Sequence, residues 1–249
     1  MPWVYIWTSP LKSAYVGTTP VKEIYVGTTK VRPSGWQPWA NTVAYRPLNS
    51  TTTVNDQSWN NYNLTQTWGS FGTYSGVDCF YNGWSTTGYF NLTSAPLIPS
   101  GNASRTISLW TNFSSLWSRY VLSYWSQNGT WRGLNLQTTS SYSFVNIIWK
   151  TLRWPNISIG VRYLHTITTE WNEIKYYVNW VLQATNTDTT INTNAITSSL
   201  PFRLMRVNNS TSTSYQTRWY LSEVIIENKA RTEQEIQDYY NQIKSNYGL

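Results

Sequence analysis

The sequence predicts an all-β chain: a two-sheet antiparallel sandwich, closed by one short C-terminal helix and preceded by an N-terminal β-ribbon. Three observations carry this. From about residue 40, short apolar and aromatic runs alternate with polar turns at intervals of roughly ten residues, the spacing of a sandwich or barrel. The composition favours Thr, Ser, Asn, Tyr and Trp, with 16 Trp, 19 Tyr and only 12% charged residues in 249, which suits sheets with one wet face. Finally, the first thirty residues repeat one pattern three times, as Tyr5-Ile6-Trp7-Thr8-Ser9-Pro10-Leu11-Lys12, Tyr15-Val16-Gly17-Thr18-Thr19-Pro20-Val21-Lys22 and Tyr25-Val26-Gly27-Thr28-Thr29-Lys30-Val31-Arg32.

A ten-residue period is too short for a solenoid. It fits one short strand, Tyr-Val, followed by a Gly-Thr-Thr-Pro turn. Three such units enclose no core of their own, so residues 1–35 read as a ribbon that pairs with the main domain or with another protein. A duplication that merely decorates the domain is the alternative. The Pro-rich joint from Arg32 to Trp39 is extended and sets the boundary, leaving residues 36–249 as the sandwich.

Within it, the predicted strands are Thr42 to Tyr45, Val77 to Tyr81, Tyr89 to Leu92, Thr106 to Thr111, Tyr120 to Trp125, Trp131 to Leu136, Ser143 to Trp149, Ser158 to Leu164, Ile174 to Val178, Phe202 to Val207 and Trp219 to Glu227. Alternation in Arg105-Thr106-Ile107-Ser108-Leu109-Trp110 puts Ile107 and Leu109, or their neighbours, on one buried face. By the same pattern Glu223 and Glu227 flank buried Val224 and Ile226 and face solvent. Near the end, Thr232-Glu233-Gln234-Glu235 forms a capping box ahead of Ile236, Tyr239, Tyr240 and Ile243 at helical spacing. Gly248 stops that helix, whose apolar stripe is expected to cover a sheet edge or seal one end.

Several functions lack their residues. The net charge is +7, but Lys and Arg are scattered and no RNA-binding signature accompanies the aromatics, so nucleic acid is not the expected partner. Cys79 is alone, which rules out an intramolecular disulfide and a cysteine zinc site, and its apolar run predicts a buried thiol. His165 is the only histidine, so a two-histidine metal centre is impossible; without a Gly-x-Ser-x-Gly elbow it reads as a satisfied strand residue. No phosphate loop or dinucleotide fingerprint occurs, no basic stretch leads into an apolar signal segment, and no apolar run approaches the roughly 20 residues of a membrane span. The Asn-x-Ser/Thr triplets, such as Asn63-Leu64-Thr65, follow from the composition.

Taken together, these residues resemble the laminin-G-like, concanavalin-A-like jelly-roll family. The likeness rests on Val43-Ala44-Tyr45-Arg46-Pro47-Leu48, Val77 to Gly83 with Gly88-Tyr89-Phe90, Thr106 to Trp110, the hairpin Ile174 to Leu182, and Leu221 to Thr232 with the helix after it. The N-terminal units look like repeats of phage tail or bacterial surface proteins. The family includes glycosidases, but the paired carboxylates of retaining hydrolysis, about 5–5.5 Å apart, have no matching motif here, and Glu170-Trp171-Asn172-Glu173 has the wrong spacing. Many relatives bind calcium, for which Asp56, Asp78 and Asp188 are the candidate ligands, although no Asp-x-Asp-x-Asp pattern sets a site.

Binding chemistry is better represented. A sugar offers an apolar C–H face and a hydroxyl rim, so it wants an aromatic plate beside amides and hydroxyls. Trp59, Trp84, Trp117, Trp131 and Trp154 sit in such surroundings, with Asn128 beside Trp131; each also suits a core or edge position. The expectation is a non-catalytic module that binds a glycan or cell-surface protein outside the cell, on its surface or on a virion, while the repeats dock to other structural proteins. A purely structural virion or surface protein is the second reading and a concanavalin-A-like glycoside hydrolase the third. One irregularity stands out. The family hairpin places Asn-Gly where this chain has Asn179-Trp180, and Trp7 falls where Gly17 and Gly27 stand in the other repeats. Chance replacement, or UGA codons that some lineages read as glycine and others as tryptophan, are the two accounts.

Overall fold

The computed structural model describes residues 15–16, 19–20, 24–26, 29–32, 41–48, 56, 58, 60, 62–67, 69–81, 89–115, 119–126, 132–139, 142–147, 150–155, 157–187, 193, 195–198, 201–205 and 219–249. The chain divides into two units, Met1–Gln37 and Pro38–Leu249. In the first, β1 (Tyr15–Val16) pairs with β2 (Thr19–Pro20), and β3 (Ile24–Val26) with β4 (Thr29–Arg32), both antiparallel. The Thr-Thr-Pro half of the repeat therefore supplies a second strand, and only Gly-Thr is left to connect the two. The first repeat lies outside the described residues.

In the second unit the strands run β5 (Thr42–Pro47), β6 (Thr65–Thr67), β7 (Ser70–Tyr74), β8 (Val77–Tyr81), β9 (Tyr89–Leu92), β10 (Arg105–Phe113), β11 (Arg119–Ser126), β12 (Arg132–Thr138), β13 (Tyr142–Ile147), β14 (Lys150–Pro155), β15 (Arg162–Glu170), β16 (Glu173–Val178), β17 (Val181–Asn186), β18 (Phe202–Leu204) and β19 (Trp219–Glu227). They form two antiparallel sheets. One is ordered β17-β16-β15-β10-β19-β8-β7, with β5 also paired to β19; the other is ordered β14-β13-β12-β11-β18-β9-β6. Hairpin neighbours at the edges alternate with long-range pairs such as β10-β19, β19-β8, β11-β18 and β18-β9, as in a Greek-key sandwich.

Side chains at alternate positions of both sheets meet in one core that joins Ile107, Leu109, Val224 and Ile226 of the eight-stranded sheet to Phe90, Leu122, Leu134, Leu136, Val145 and Phe202 of the seven-stranded one. Across it, Phe80 and Phe90 approach to 4.2 Å between ring centres. A polar chain also bridges the sheets. The Thr111 hydroxyl meets His165 Nε2 at 3.0 Å, His165 Nδ1 meets the Tyr176 hydroxyl at 2.7 Å, and that hydroxyl meets Ser143 Oγ at 2.7 Å. His165 is thus the satisfied strand histidine expected, and complete burial pushes its pKa down to about 3. Cys79 is buried and hydrogen-bonded to the Gly72 carbonyl, with burial pushing its thiol up to about 11.

The C-terminal helix α1 (Glu233–Ile243) begins with the predicted capping box. Thr232 Oγ1 accepts from the Glu235 N–H, and the Glu235 carboxylate accepts from the Thr232 N–H. It continues as a 3₁₀ turn (Lys244–Tyr247) and stops at Gly248, in the left-handed region at φ 74°. It lies on the outer face of the eight-stranded sheet, reaching from the edge strand β17, as expected, across the central strands β10 and β19 as well. Ile236, Tyr239, Ile243 and Tyr247 are buried there, and the Trp110 ring of β10 stacks on Tyr247 at 4.1 Å. Arg162 of β15 donates to the Tyr247 carbonyl at 2.7 Å and also to the Tyr74 carbonyl in the β7–β8 turn. Hence every residue of β10 is buried, on both faces.

Replacing Tyr176 by Phe removes the middle of the cross-sheet chain and leaves His165 Nδ1 and Ser143 Oγ buried without that partner. The expected loss is about 2 kcal/mol in urea denaturation, with an unchanged m value. Retention of full stability would show that neither group depends on the phenol.

Candidate ligand-binding face

Among the described residues no helix packs on the outer face of the seven-stranded sheet, and the pleat decides what stands there. Phe90 and Leu92 point to the core, so Asn91 points away; the same holds for Arg203 between Phe202 and Leu204, Ser123 between Leu122 and Tyr124, and Asn135 between Leu134 and Leu136. Strand register then aligns them. Thr65 pairs with Asn91, Asn91 with Arg203, Arg203 with Ser123, Ser123 with Asn135, and the row passes through position 146 to Thr151. A polar line thereby crosses all seven strands.

Its profile is a trough. Thr65 and Thr151 at the ends are exposed, Asn91, Arg203 and Asn135 are half-buried, and Ser123 in the middle is fully buried. Arg203 Nε donates to Asn91 Oδ1 at 2.9 Å, which holds the guanidinium along the row, and its plane lies 5.8 Å from the Tyr89 ring centre. Arg153, beside the row on β14, lies 5.3 Å from the Tyr142 ring centre. Asn135 Oδ1 is buried and has no hydrogen-bond partner among the described residues. A buried acceptor of this kind is uncommon in native proteins.

Charge is divided between the sheets. The seven strands of this sheet contain Arg119, Arg132, Lys150, Arg153 and Arg203 and no Asp or Glu. Asp78, Glu170, Glu173, Glu223 and Glu227 all belong to the other sheet. Of the cations, Arg153 and Arg203 stand on the outer face with the polar row, out of phase with core-facing Leu152, Phe202 and Leu204.

The two carboxylates expected at the surface are under the helix. Glu223 is 6% and Glu227 1% exposed, because α1 covers the face of β19 that a two-layer sandwich would leave wet. Glu223 accepts hydrogen bonds from the Tyr45 hydroxyl at 3.2 Å and from the Tyr239 hydroxyl. Burial pushes its pKa up to about 7, against the pull of the tyrosine hydroxyls. Glu227 is paired with Arg231, Nη2 to Oε1 at 2.7 Å, and burial raises its pKa in the same direction. Glu223 is enclosed in this way between the helix and the sheet. Glu227 lines an open pocket of about 380 Å³ together with Asn41, Lys229, Arg231, Glu235 and Asp238, where Arg231 is matched to Glu227 and Lys229 to Glu235.

The residues singled out in the sequence are distributed differently. Trp59, Trp84, Trp117, Asn128, Trp131 and Asp188 lie outside the described residues. Trp154 belongs to β14, not to a loop, and packs inward against the core, edge-on to Tyr163 at 4.8 Å, on the side opposite the polar row. Asp56 is buried, and its carboxylate accepts from the N–H groups of Tyr45, Ser58 and Tyr62 and from the Ser58 hydroxyl, at 2.7–2.9 Å, so it organises its own loop. Asp78 is exposed and accepts from Thr73 at 2.9 Å. Among the described residues no three of His, Cys, Asp and Glu come together as metal ligands. Asn91, Arg203, Ser123 and Asn135 were not singled out; each is the polar member of an alternating strand, but their alignment depends on a register that spans distant segments.

No family model and no curated protein matches the chain. Solved structures do. The binding domain of Paraclostridial mosquitocidal protein 1 superposes with TM-score 0.63 at 15% identity, over 81% of this chain and 52% of that one. The binding domain of botulinum neurotoxin serotype G gives 0.64 at 14%, over 82% and 51%. Domain 4 of AbnA, an extracellular arabinanase of Geobacillus stearothermophilus solved with arabinotriose, gives 0.63 at 15%, over 80% of this chain and 98% of that one. The chain spans about half the length of the toxin chains it matches. At these identities the likeness establishes the fold alone, a two-sheet antiparallel β-sandwich shared with these binding domains. No described helix is long and apolar enough to cross a membrane.

Glu223 gives the fold a pH dependence of predictable sign. Between its unfolded value near 4.5 and its folded value of about 7, the folded protein keeps a proton that the unfolded chain has released, so stability is fully present below that window and lost as pH rises through it. Glu227 acts in the same direction. His165 acts in the opposite one, because below about 6.5 the unfolded chain takes up a proton that the buried ring refuses. Relative to the native protein, Glu223→Gln is expected to flatten the fall of Tm between pH 5 and 7. Parallel Tm–pH curves would exclude a buried, protonated Glu223.

Proposed function

We propose that the sandwich is a laminin-G-like binding module that takes an oligosaccharide along the polar row of the seven-stranded sheet. The observation that carries this reading is the unpaired Asn135 Oδ1 in a trough lined by Asn91, Ser123 and Arg203, all aligned by register. Amide, hydroxyl and guanidinium groups in line match the hydroxyl rim of successive sugar units, and the half-buried setting strengthens each bond. The arabinotriose complex of the structurally similar arabinanase domain supports a glycan as ligand. Because the sheet's strands carry cations and no carboxylate, acidic sugars are favoured over neutral ones. The reading extends to a surface-attachment role, outside the cell or on a virion, in which the N-terminal hairpins join a larger structure such as a phage tail and the sandwich contacts the partner.

The test is binding of the full chain to a glycan array, with calcium and with a chelator, followed by calorimetry on the best ligand. Saturable binding is expected, stronger for acidic members and weakened by salt. Arg203→Gln should lower the affinity about tenfold or more while leaving Tm within a few degrees. Binding that survives Arg203→Gln and Asn135→Ala unchanged would move the site elsewhere. A blank array would favour a structural role in an assembly, for which the repeated hairpins are the specific feature.

A further inference from the structure

Ten described residues hold φ in the left-handed region. Five are glycine: Gly69, Gly76, Gly101, Gly160 and Gly248; the others are Ser75, Trp171, Asn179, Trp180 and Met205. Such a backbone costs a side chain of ordinary size about 1–3 kcal/mol, because Cβ crowds the neighbouring peptide, and only glycine escapes it. Asn and Ser are small and polar enough for turns. Met205 is fully buried in the core and its N–H is bonded to the Val121 carbonyl, so packing compensates. The two tryptophans have no such excuse at hand. Trp171 is 74% exposed, and Trp180 sits at a hairpin tip.

Comparison of turns within this chain sharpens the point. The β7–β8 hairpin turns through Ser75-Gly76 with φ 46° and 77°, and the β16–β17 hairpin through Asn179-Trp180 with φ 48° and 70°. These are one turn type, with both central residues left-handed, and Trp180 stands where Gly76 stands. The β15–β16 hairpin turns through Trp171-Asn172, with Glu170 opposite Glu173, and there only the first central residue has positive φ, at 52°. That is the φ pattern of a II′ turn, whose first central position belongs to glycine. Sequence alone adds a third place, since Trp7 occupies the phase of Gly17 and Gly27 in the N-terminal repeat.

We propose that positions 7, 171 and 180 are glycine in the protein as its host makes it, each encoded by UGA, a codon that some bacterial and phage lineages read as glycine and others as tryptophan. One-codon recoding explains why the misfits are of a single residue type and why that type is so abundant, at 16 in 249. Tryptophan placed by its ring chemistry is a separate population. Trp110 is the internal reference: it lies between Tyr247 at 4.1 Å and Tyr240 at 5.9 Å, stacked on both, and no glycine performs that task.

The deciding experiment reads the codons of the gene and, by tandem mass spectrometry, the residues in protein isolated from its natural source. UGA at 7, 171 and 180 with glycine in the peptides, against UGG with tryptophan at 110, is the expected result. UGG at 171 and 180 overturns the proposal, and so does UGA accompanied by tryptophan in the peptides. A recombinant pair supplies an independent readout: Trp171→Gly and Trp180→Gly should each raise Tm by about 2–4 °C, whereas Trp110→Gly should lower it. A lowered Tm in both hairpin variants would likewise count against glycine at these positions.

Discussion

Strands β10 and β19 are covered on both faces, and much of the molecule is explained by what that coverage requires. On the inner side the second sheet supplies aliphatic and aromatic side chains, and on the outer side the C-terminal helix does so. A strand dry on both sides cannot follow the simple rule of polar out, apolar in. Its outward positions must either be apolar, as Trp110 and Ile225 are, or find partners, as Ser108 does with Thr166 at 3.1 Å and Glu223 with two tyrosine hydroxyls. Thr106 accepts from the Arg231 N–H and donates to the Lys229 carbonyl, fastening the segment that leads into the helix. The polar groups beneath α1 are therefore the fittings by which a helix is held on a sheet.

With one sheet committed to architecture on both sides, the other is left to meet the outside. The division of charge follows the same line. Carboxylates gather in the eight-stranded sheet, where hydrogen bonds and Arg231 satisfy two of them, and the seven-stranded sheet carries only cations. Neither arrangement matters for closing the sandwich, since Arg203 and Arg153 stand on the side away from the core. Their placement makes sense as a property of the surface.

Much of this architecture was legible before any coordinates. Val77–Tyr81, Tyr89–Leu92 and Trp219–Glu227 coincide with the runs read from alternation, and the capping box placed the helix start. The misses share a cause. Strand β15 was expected at 158–164 but runs Arg162–Glu170, because its second half, Thr166-Ile167-Thr168-Thr169, is buried by hydroxyl pairing and helix cover that no hydropathy pattern records. Strand β17 is an edge with Val181 and Leu182 exposed and no alternation to detect. Glu223 and Glu227 were placed in solvent because periodicity says which side of a strand is apolar, not how many layers lie over it. The polar row was visible only residue by residue, since its continuity joins strands distant in sequence, among them β9, β18 and β11.

The order of the strands also bears on how the protein is made. Strand β19 lies between β10 and β8, yet it leaves the ribosome more than a hundred residues after either, and the helix that covers it follows later still. Until then β8 and β10 present open edges, and the face destined for α1 is bare. A nascent or stalled chain thus exposes pairing edges and apolar surface together, the combination that invites association with other chains. Completion of this fold therefore waits for residues up to about 243, and the growing chain calls for shielding until then.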